Sequence, residues 1–309
     1  MAGTGTFADR VFRSVLIVLS STVILIVVSM VAMMVWTSLP TIRMFGLEFL
    51  YSGEWQPASN VFGALPFIYG TIVSSLIAIL IAVPISLGIA IFLVEQAPKS
   101  ISSPAAFLVE LLAAIPSVVY GLWGIFVLAP FIRNYLGPFF QDYFGWLPLF
   151  QGRLTGFGML TGGIIMAIMV TPIITAVVRD VLEVVPNTQR DAALALGATK
   201  WETTLIVLQN ASSGIAGAVV LGLGRALGET MAVTMVIGNS PQITASLFEP
   251  AYTIASVLAA NFGEASDRLY LSALVEMGLV LFLVTFVVNA LAKVLVLGVA
   301  KGTNAASKA

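Results

Sequence analysis

The chain has 309 residues, 59% of them hydrophobic and only 9% charged, with a formal net charge of −1. A soluble domain of this length carries about 25% charged residues, so lipid must solvate much of this one's surface. Cys 0 and His 0 exclude disulfides, thiolate metal sites, cysteine nucleophiles, Ser-His hydrolases, HExxH zinc sites and histidine-ligated haem. No basic run points to nucleic acid. The aspartates Asp9, Asp142, Asp180, Asp191 and Asp267 all fall outside the apolar stretches, which argues against an intramembrane aspartyl protease. No G-x-x-x-x-G-K-[ST] is present either, so no nucleotide is cradled by this chain in that way.

A spanning helix needs about 20 mostly apolar residues, and the chain offers six such stretches. The first runs from Val11 to Trp36 and reads as a retained span rather than a cleaved signal, since no A-x-A site follows it. The second covers Pro66 to Val94. The third covers Pro104 to Ile132, with Ser103 as its cap and Pro104 at the first helical position. The fourth covers Gly156 to Val178, the fifth Thr203 to Ile237 and the sixth Leu271 to Leu297. The expected fold is an all-α polytopic membrane protein with six transmembrane helices. Pro84, Pro116 and Pro172 fall inside the predicted spans, as kinks or hinges. Pro250 to Phe262 is too short to span and is expected as a re-entrant or surface-lying helix on the outer face.

Orientation follows from the basic residues. With the N-terminus inside, the inner segments collect Arg10, Arg13, Lys99, Arg179, Arg190, Lys200, Lys293, Lys301 and Lys308, and the outer ones only Arg43, Arg133, Arg153 and Arg268. Both termini are therefore expected in the cytoplasm. Residues 1–65 would form the N-terminal segment, first span and outer loop. Residues 66–300 would form a five-helix core, and 301–309 a cytoplasmic tail.

The cytoplasmic segment 184–202 carries the clearest local signals. Pro186 suits a helix start, the run Asp191 to Leu196 favours helix, and Gly197 is a natural stop. Thr199 and Glu202 make a T-x-x-E capping box for the next helix. A short helix, a glycine turn and a helix returning to the membrane would present a rigid knob to a partner. Asp191-Ala192-Ala193, then Gly197, Ile206 and Leu208, resembles the EAA loop of ABC importer permeases, with Asp191 for the usual Glu and Gln209 where Pro often stands. The resemblance implies a type I ABC importer permease-like core, with Asp191, Ala192, Ala193 and Gly197 docking onto an ATPase subunit.

In the fifth span, Arg225 and Glu229 stand four apart, on one helical face and about midway. An ionisable group at such depth costs roughly 2.5–3.5 kcal/mol and should face protein or water. The residues read either as a structural ion pair or as a path-lining guanidinium whose fork suits a tetrahedral oxyanion. Gly222, Gly224 and Gly228 strip bulk from this region, and Gly224 with Gly228 reads as a G-x-x-x-G packing face. Glu110 and Glu276, near the ends of spans three and six, read as structural or interfacial groups.

GRALGETMAV followed by Gly238-Asn239, together with TIASVLAANFGEA from Thr253, resembles the C-type permease subunits of phosphate-specific transport systems. Sulfate and molybdate permeases tend to carry GEFG at the Gly228-Glu229-Thr230-Met231 position. The resemblance implies an ATP-driven phosphate importer in which Arg225, Glu229 and Thr230 line the substrate path. It implies an A-type permease partner, two ATP-binding subunits that hold ATP and Mg²⁺, and an extracytoplasmic phosphate-binding protein, with no cofactor or metal in this chain. Two readings compete with it: an importer of another oxyanion (molybdate, sulfate or phosphonate), and an ATP-independent ion carrier or channel using Arg225 and Glu229 alone. The EAA-like loop separates the second, since a carrier has no use for an ATPase dock.

Overall fold

The computed structural model describes the backbone of residues 7–306 and the side chains of residues 7–294, apart from those of Ala8 and Arg10. Six helical stretches are long and apolar enough to cross a membrane, at Val11–Phe45, Leu65–Gln96, Ser117–Phe144, Met159–Val184, Lys200–Leu227 and Arg268–Val294. In chain order the helices are α1 (Phe7–Phe45), α2 (Glu48–Tyr51), α3 (Leu65–Ile91), α4 (Lys99–Ala113), α5 (Ser117–Trp123), α6 (Ala129–Phe131), α7 (Gly137–Phe144), α8 (Met159–Val184), α9 (Asn187–Ala195), α10 (Lys200–Leu227), α11 (Met231–Val236), α12 (Ile254–Asn261) and α13 (Arg268–Ala306). A π-helical turn, Phe92–Gln96, extends α3, and two more join α5, α6 and α7 into one path. α13 continues to Ala306; residues 307–309, with Lys308, and the side chains of Arg10 and Lys301 lie outside the described residues.

Several predicted boundaries move, and two of the shifts change which segments span. The third span begins at Ser117, not Pro104. Pro116 lacks an N–H and disfavours helical geometry in the residue before it, so the chain breaks there and Pro116, extended at φ −60° and ψ 140°, precedes α5 rather than kinking a span. Pro104 and Ser103 lie inside α4, a separate helix begun after Pro98. The fifth span also stops early. α10 ends at Leu227, and Gly228-Glu229-Thr230 separates it from α11. Pro84 and Pro172 do fall inside their helices, α3 and α8.

The centre of the bundle is α8, which packs against α3, α4, α5, α10 and α11. Its buried face, including Met166, Val170, Ile174, Val178 and Leu182, meets Ala78 and Ala82 of α3 and Ala211, Ala218 and Ala226 of α10 in one core. The α8–α10 contact is tight. A methyl group added at Gly222 would stand 2.6 Å from Ile174 Cδ1 and 2.9 Å from Val170 Cγ1, and one at Gly214 would collide with the Val181 side chain. Gly214, Ala218, Gly222 and Ala226 thus form a stripe of small residues every fourth position that lets the two backbones approach.

A second core lies at the end of the bundle opposite α9. There Phe49, Phe62 and Phe67 pack on Tyr252, Ile254, Val257, Leu274 and Met277. The end of α11 and the irregular segment after it supply acceptors to the start of α8, whose N–H groups have no partner within the helix. Gly158 N–H donates to Val236 O (3.1 Å), Met159 N–H to Glu249 O (3.2 Å) and Leu160 N–H to Leu247 O (2.8 Å). The short helix foreseen at Pro250 to Phe262 is α12. It starts at a Thr253/Ser256 capping box and buries Ile254 to Val257, so it is wedged among α3, α11 and α13 rather than lying on the surface. α1 sits apart, joined to the rest chiefly through α13, where Thr41 Oγ1 donates to Ser272 Oγ at 2.6 Å.

Candidate functional site

Two places on α10 and its approach carry the predicted site residues, and α10 joins them. Arg225 is 25 residues beyond Lys200, which at 1.5 Å per residue puts the two ends about 38 Å apart along the helix.

At the far end, Arg225 lies on the last turn of α10 and not midway along a continuous helix, because the helix stops two residues later. The break itself favours the pair. The C-terminal carbonyls of a helix attract a cation, and the N–H groups opening the next helix attract an anion. Arg225 occupies the first position. Glu229 occupies the second, accepting from Ala232 N–H of α11 at 3.3 Å. Arg225 Nη1 meets Glu229 Oε2 at 2.5 Å, with the glutamate side chain 4% exposed and the arginine 43% exposed. Thr230 Oγ1 turns back to Gly228 O (3.2 Å), and Thr230 O accepts from Thr234 Oγ1 (2.6 Å).

The surroundings of Arg225 set its exposure. Flanking the small stripe packed on α8, about 100° round the helix, α10 leaves Ser213, Gly217, Leu221, Arg225 and Gly228 uncovered. This open face is smooth apart from Leu221 and ends at the guanidinium. The glycines named from the sequence fall differently from the expectation. Added methyl groups would stand 3.7 Å from Asn289 Nδ2 at Gly224, and at Gly228 only 3.6 Å from Gly224 O of the same helix. Neither makes a close helix approach within the chain; Gly214 and Gly222 do. The legible signal was the four-residue recurrence through Ala218 and Ala226.

At the near end, α9 and its turn form as the sequence anticipates. Pro186 precedes the first residue, Gly197 adopts φ +85°, and its N–H donates to Leu194 O at 3.0 Å. Nothing lies within 4 Å of an added Gly197 Cβ, so the position asks for glycine by backbone conformation alone. The Thr199/Glu202 capping box is complete. Asp191 and Ala192 are exposed, Ala193 is buried, and Leu194, Leu196 and Trp201 stand out in solvent as an apolar cluster, Leu196 at 90% exposure. Sequence reasoning used Arg190 only as a count of positive charge and overlooked Glu95; the structure joins them beneath α9. Glu110 pairs with Arg179 at 2.9 Å and ties α4 to α8. Glu276 is buried on α13 and its Oε2 has no partner among the described residues.

A bundle of six apolar spans built around one central helix, with a small helical knob at one end, is the architecture of a multi-pass membrane protein. The family of binding-protein-dependent transport system inner membrane components matches residues 86–301. In fold the chain is similar to the methionine ABC transporter MetNI in inward-facing conformations, with a TM-score of 0.51 over 74% of this chain and 94% of that one, at 17% identity. Closer in sequence are three relatives. The phosphate transport system permease protein PstC of Xylella fastidiosa (strain Temecula1) is 48% identical, over 94% of this chain and 91% of its own. That of Mesorhizobium japonicum is 47% identical, over 87% and 83%. The probable PstC of Methanocaldococcus jannaschii is 39% identical, over 82% of each. The chain belongs to the binding-protein-dependent inner membrane components, within the PstC permeases of that family.

Proposed function

We propose that this chain is the C-type permease subunit of an ATP-driven importer of inorganic phosphate, forming half of the translocation path. The observation that carries the reading is Arg225: a guanidinium bound on one side to a buried carboxylate and open on the other, at a helix break on an uncovered face. A guanidinium offers up to five N–H donors in a plane, and a tetrahedral oxyanion takes two of them at once. Glu229 fixes the arginine in place and offsets its charge until phosphate competes for it. Thr230, beside the pair, supplies a further hydroxyl to the path. The identity to PstC relatives over nearly the whole chain supports phosphate over molybdate, sulfate or phosphonate.

The α9 end faces the cytoplasm in this reading, as the basic residues around it favour. Both termini then lie inside a bacterial plasma membrane. Asp191, Ala192, Ala193 and Gly197 present the knob to two ATP-binding subunits, which hold and hydrolyse ATP with Mg²⁺. An A-type permease completes the path, and Gly224 and Gly228, open within this chain, offer it a smooth surface. An extracytoplasmic phosphate-binding protein delivers the ion to the α12 end. This chain couples and conducts; the energy comes from its partners.

The test is radiolabelled phosphate uptake in cells lacking the gene and complemented with it, with sulfate and molybdate as competitors. Uptake restored only by the gene, and indifferent to the competitors, is the expected result. Uptake independent of the gene, or displaced by molybdate, removes phosphate from the assignment.

A further inference from the structure

The knob formed by α9 has little to hold it. It is nine residues long, mostly polar, and only Ala193 of its side chains is buried. Yet a lever must be fixed firmly to what it moves. Directly before the exposed Asp191, Arg190 turns inward, its side chain 16% exposed, and meets Glu95, 10% exposed, in the π-helical turn that ends the α3 span. Nε lies 3.1 Å and Nη2 2.7 Å from Glu95 Oε1. The same guanidinium also serves the end of α8. Nη1 donates to Val185 O at 2.6 Å and Nη2 to Leu182 O at 3.0 Å, with a weaker bond from Nη1 to Asn187 Oδ1 at 3.3 Å. Leu182 belongs to the last turn of α8, where carbonyls lack partners within the helix and where a cation is favoured.

One side chain thus ties three elements together: the end of α3, the end of α8 and the knob. We infer that Arg190 is the positioning residue that makes α9 move as one body with α3 and α8, and that Glu95 fixes its geometry. Lysine cannot replace it, because a single ammonium cannot reach a carboxylate and two carbonyls in that planar arrangement. The bond network takes up all three guanidinium nitrogens, so the residue has no capacity left for a partner's surface; its role is internal. Asp191, Leu194, Leu196 and Trp201 are exposed and give the knob its outer surface, Leu194 and Trp201 sharing a cleft with Arg190 and Glu95. A force applied to that outer surface reaches the bundle through Arg190, Ala193 and the covalent ends of α9.

The inference deepens the importer reading and partly rests on it, so its test has two arms. In the first, the full chain in detergent carries nitroxides at Phe92→Cys and Ala195→Cys; the natural chain has no cysteine to interfere. The distance distribution between them is expected to be narrow in the parent and at least twofold broader in Arg190→Gln and in Glu95→Gln. Equal widths overturn the inference. In the second, the complete importer in proteoliposomes is assayed for phosphate moved per ATP hydrolysed. That ratio is expected to fall at least about tenfold in Arg190→Gln, as for a broken buried ion pair, with Arg190→Lys between the two. A ratio equal to the parent's overturns the inference. A parent that hydrolyses ATP and moves no phosphate sinks the importer reading instead, and the distance arm still decides the inference. If Arg190→Gln does not fold, Glu95→Gln, which leaves the bonds to Leu182 and Val185 in place, decides both arms.

Discussion

Of the arginine–glutamate pairs among the described residues, two stand near opposite ends of α10, and they are built differently. Arg190 and Glu95 are 95 residues apart in sequence and both nearly buried, and the guanidinium is consumed by protein acceptors from two further elements. Arg225 and Glu229 are neighbours across one helix break; the glutamate is buried, the arginine is not, and among the described residues Glu229 is the arginine's sole polar partner. A saturated guanidinium can only hold structure. An unsaturated one, whose counter-charge is already fixed, can take a ligand without leaving a bare buried carboxylate behind. In the proposed importer, the first pair serves force transmission and the second passage of the ion.

The largest expected effect tests the open member. Arg225→Ala removes the guanidinium and leaves Glu229 to repel an anion. Losing a charge-assisted bond of about 1.5–3 kcal/mol predicts phosphate uptake lower by roughly 10- to 150-fold at equal subunit assembly. Arg225→Lys keeps the charge and loses the fork, and should retain roughly a tenth of parental uptake. Equal uptake in the alanine variant, measured in proteoliposomes, would erase the distinction between the two arginines.

Next in size is the knob. A side chain with a Cβ at Gly197 must adopt φ +85°, which costs about 1–2 kcal/mol for an L-residue. Gly197→Val should lower the ATP-binding subunits co-purified with the permease by about tenfold. The space around Gly197 is open, so the effect is conformational and not steric. Restoration by a smaller residue such as alanine would contradict this account, since alanine meets the same φ penalty.

Glu229→Gln sharpens the second pair further. Glutamine still accepts from Ala232 N–H but no longer neutralises Arg225. Partly exposed ion pairs are worth about 0.2–1 kcal/mol, so phosphate should gain up to about fivefold in apparent affinity. A freed cation also releases its anion more slowly, so KM and maximal uptake rate should fall together. A KM that rises instead would mean that Glu229 positions the arginine more than it competes for it.

The two pairs also mark how far the sequence could be read. Six apolar stretches of spanning length are local facts, and so are the Thr199–Glu202 spacing and the glycine at 197; the capping box and the glycine turn appear where expected, and six spans appear with the third and fifth shifted. Arg225 with Glu229 is local as well, and was visible as a pair. The break between them was not, because Gly228 inside an apolar run reads equally as a packing glycine and as a helix end. Pro116 posed the same choice between kink and terminus, decided only by where α4 and α5 pack. The Arg190–Glu95 contact depends on three elements converging, and no spacing rule connects positions 95 and 190. In the same way Glu276 looked like a boundary residue, while its burial on α13 comes from neighbours far away in sequence.

The smallest effects concern the glycines, and here the sign differs between two positions within one turn of α10. Glycine inside a helix costs about 1 kcal/mol relative to alanine, so a substitution with room to spare should stabilise. Gly224 has that room, its added methyl reaching only Asn289 at 3.7 Å. Gly222 has none: Ile174 and Val170 would stand 2.6–2.9 Å from the new carbon, and such overpacking costs about 1–3 kcal/mol. Thermal unfolding of the purified chain in detergent should therefore show Gly222→Ala melting a few degrees below the parent and Gly224→Ala at or slightly above it. The reverse order would restore Gly224 as the close-approach position within the chain. A Gly224→Ala variant that melts normally alone but fails to pair with the A-type subunit would place that approach between subunits. The open face ending at Arg225 would then be the surface where two permeases meet around the ion's path.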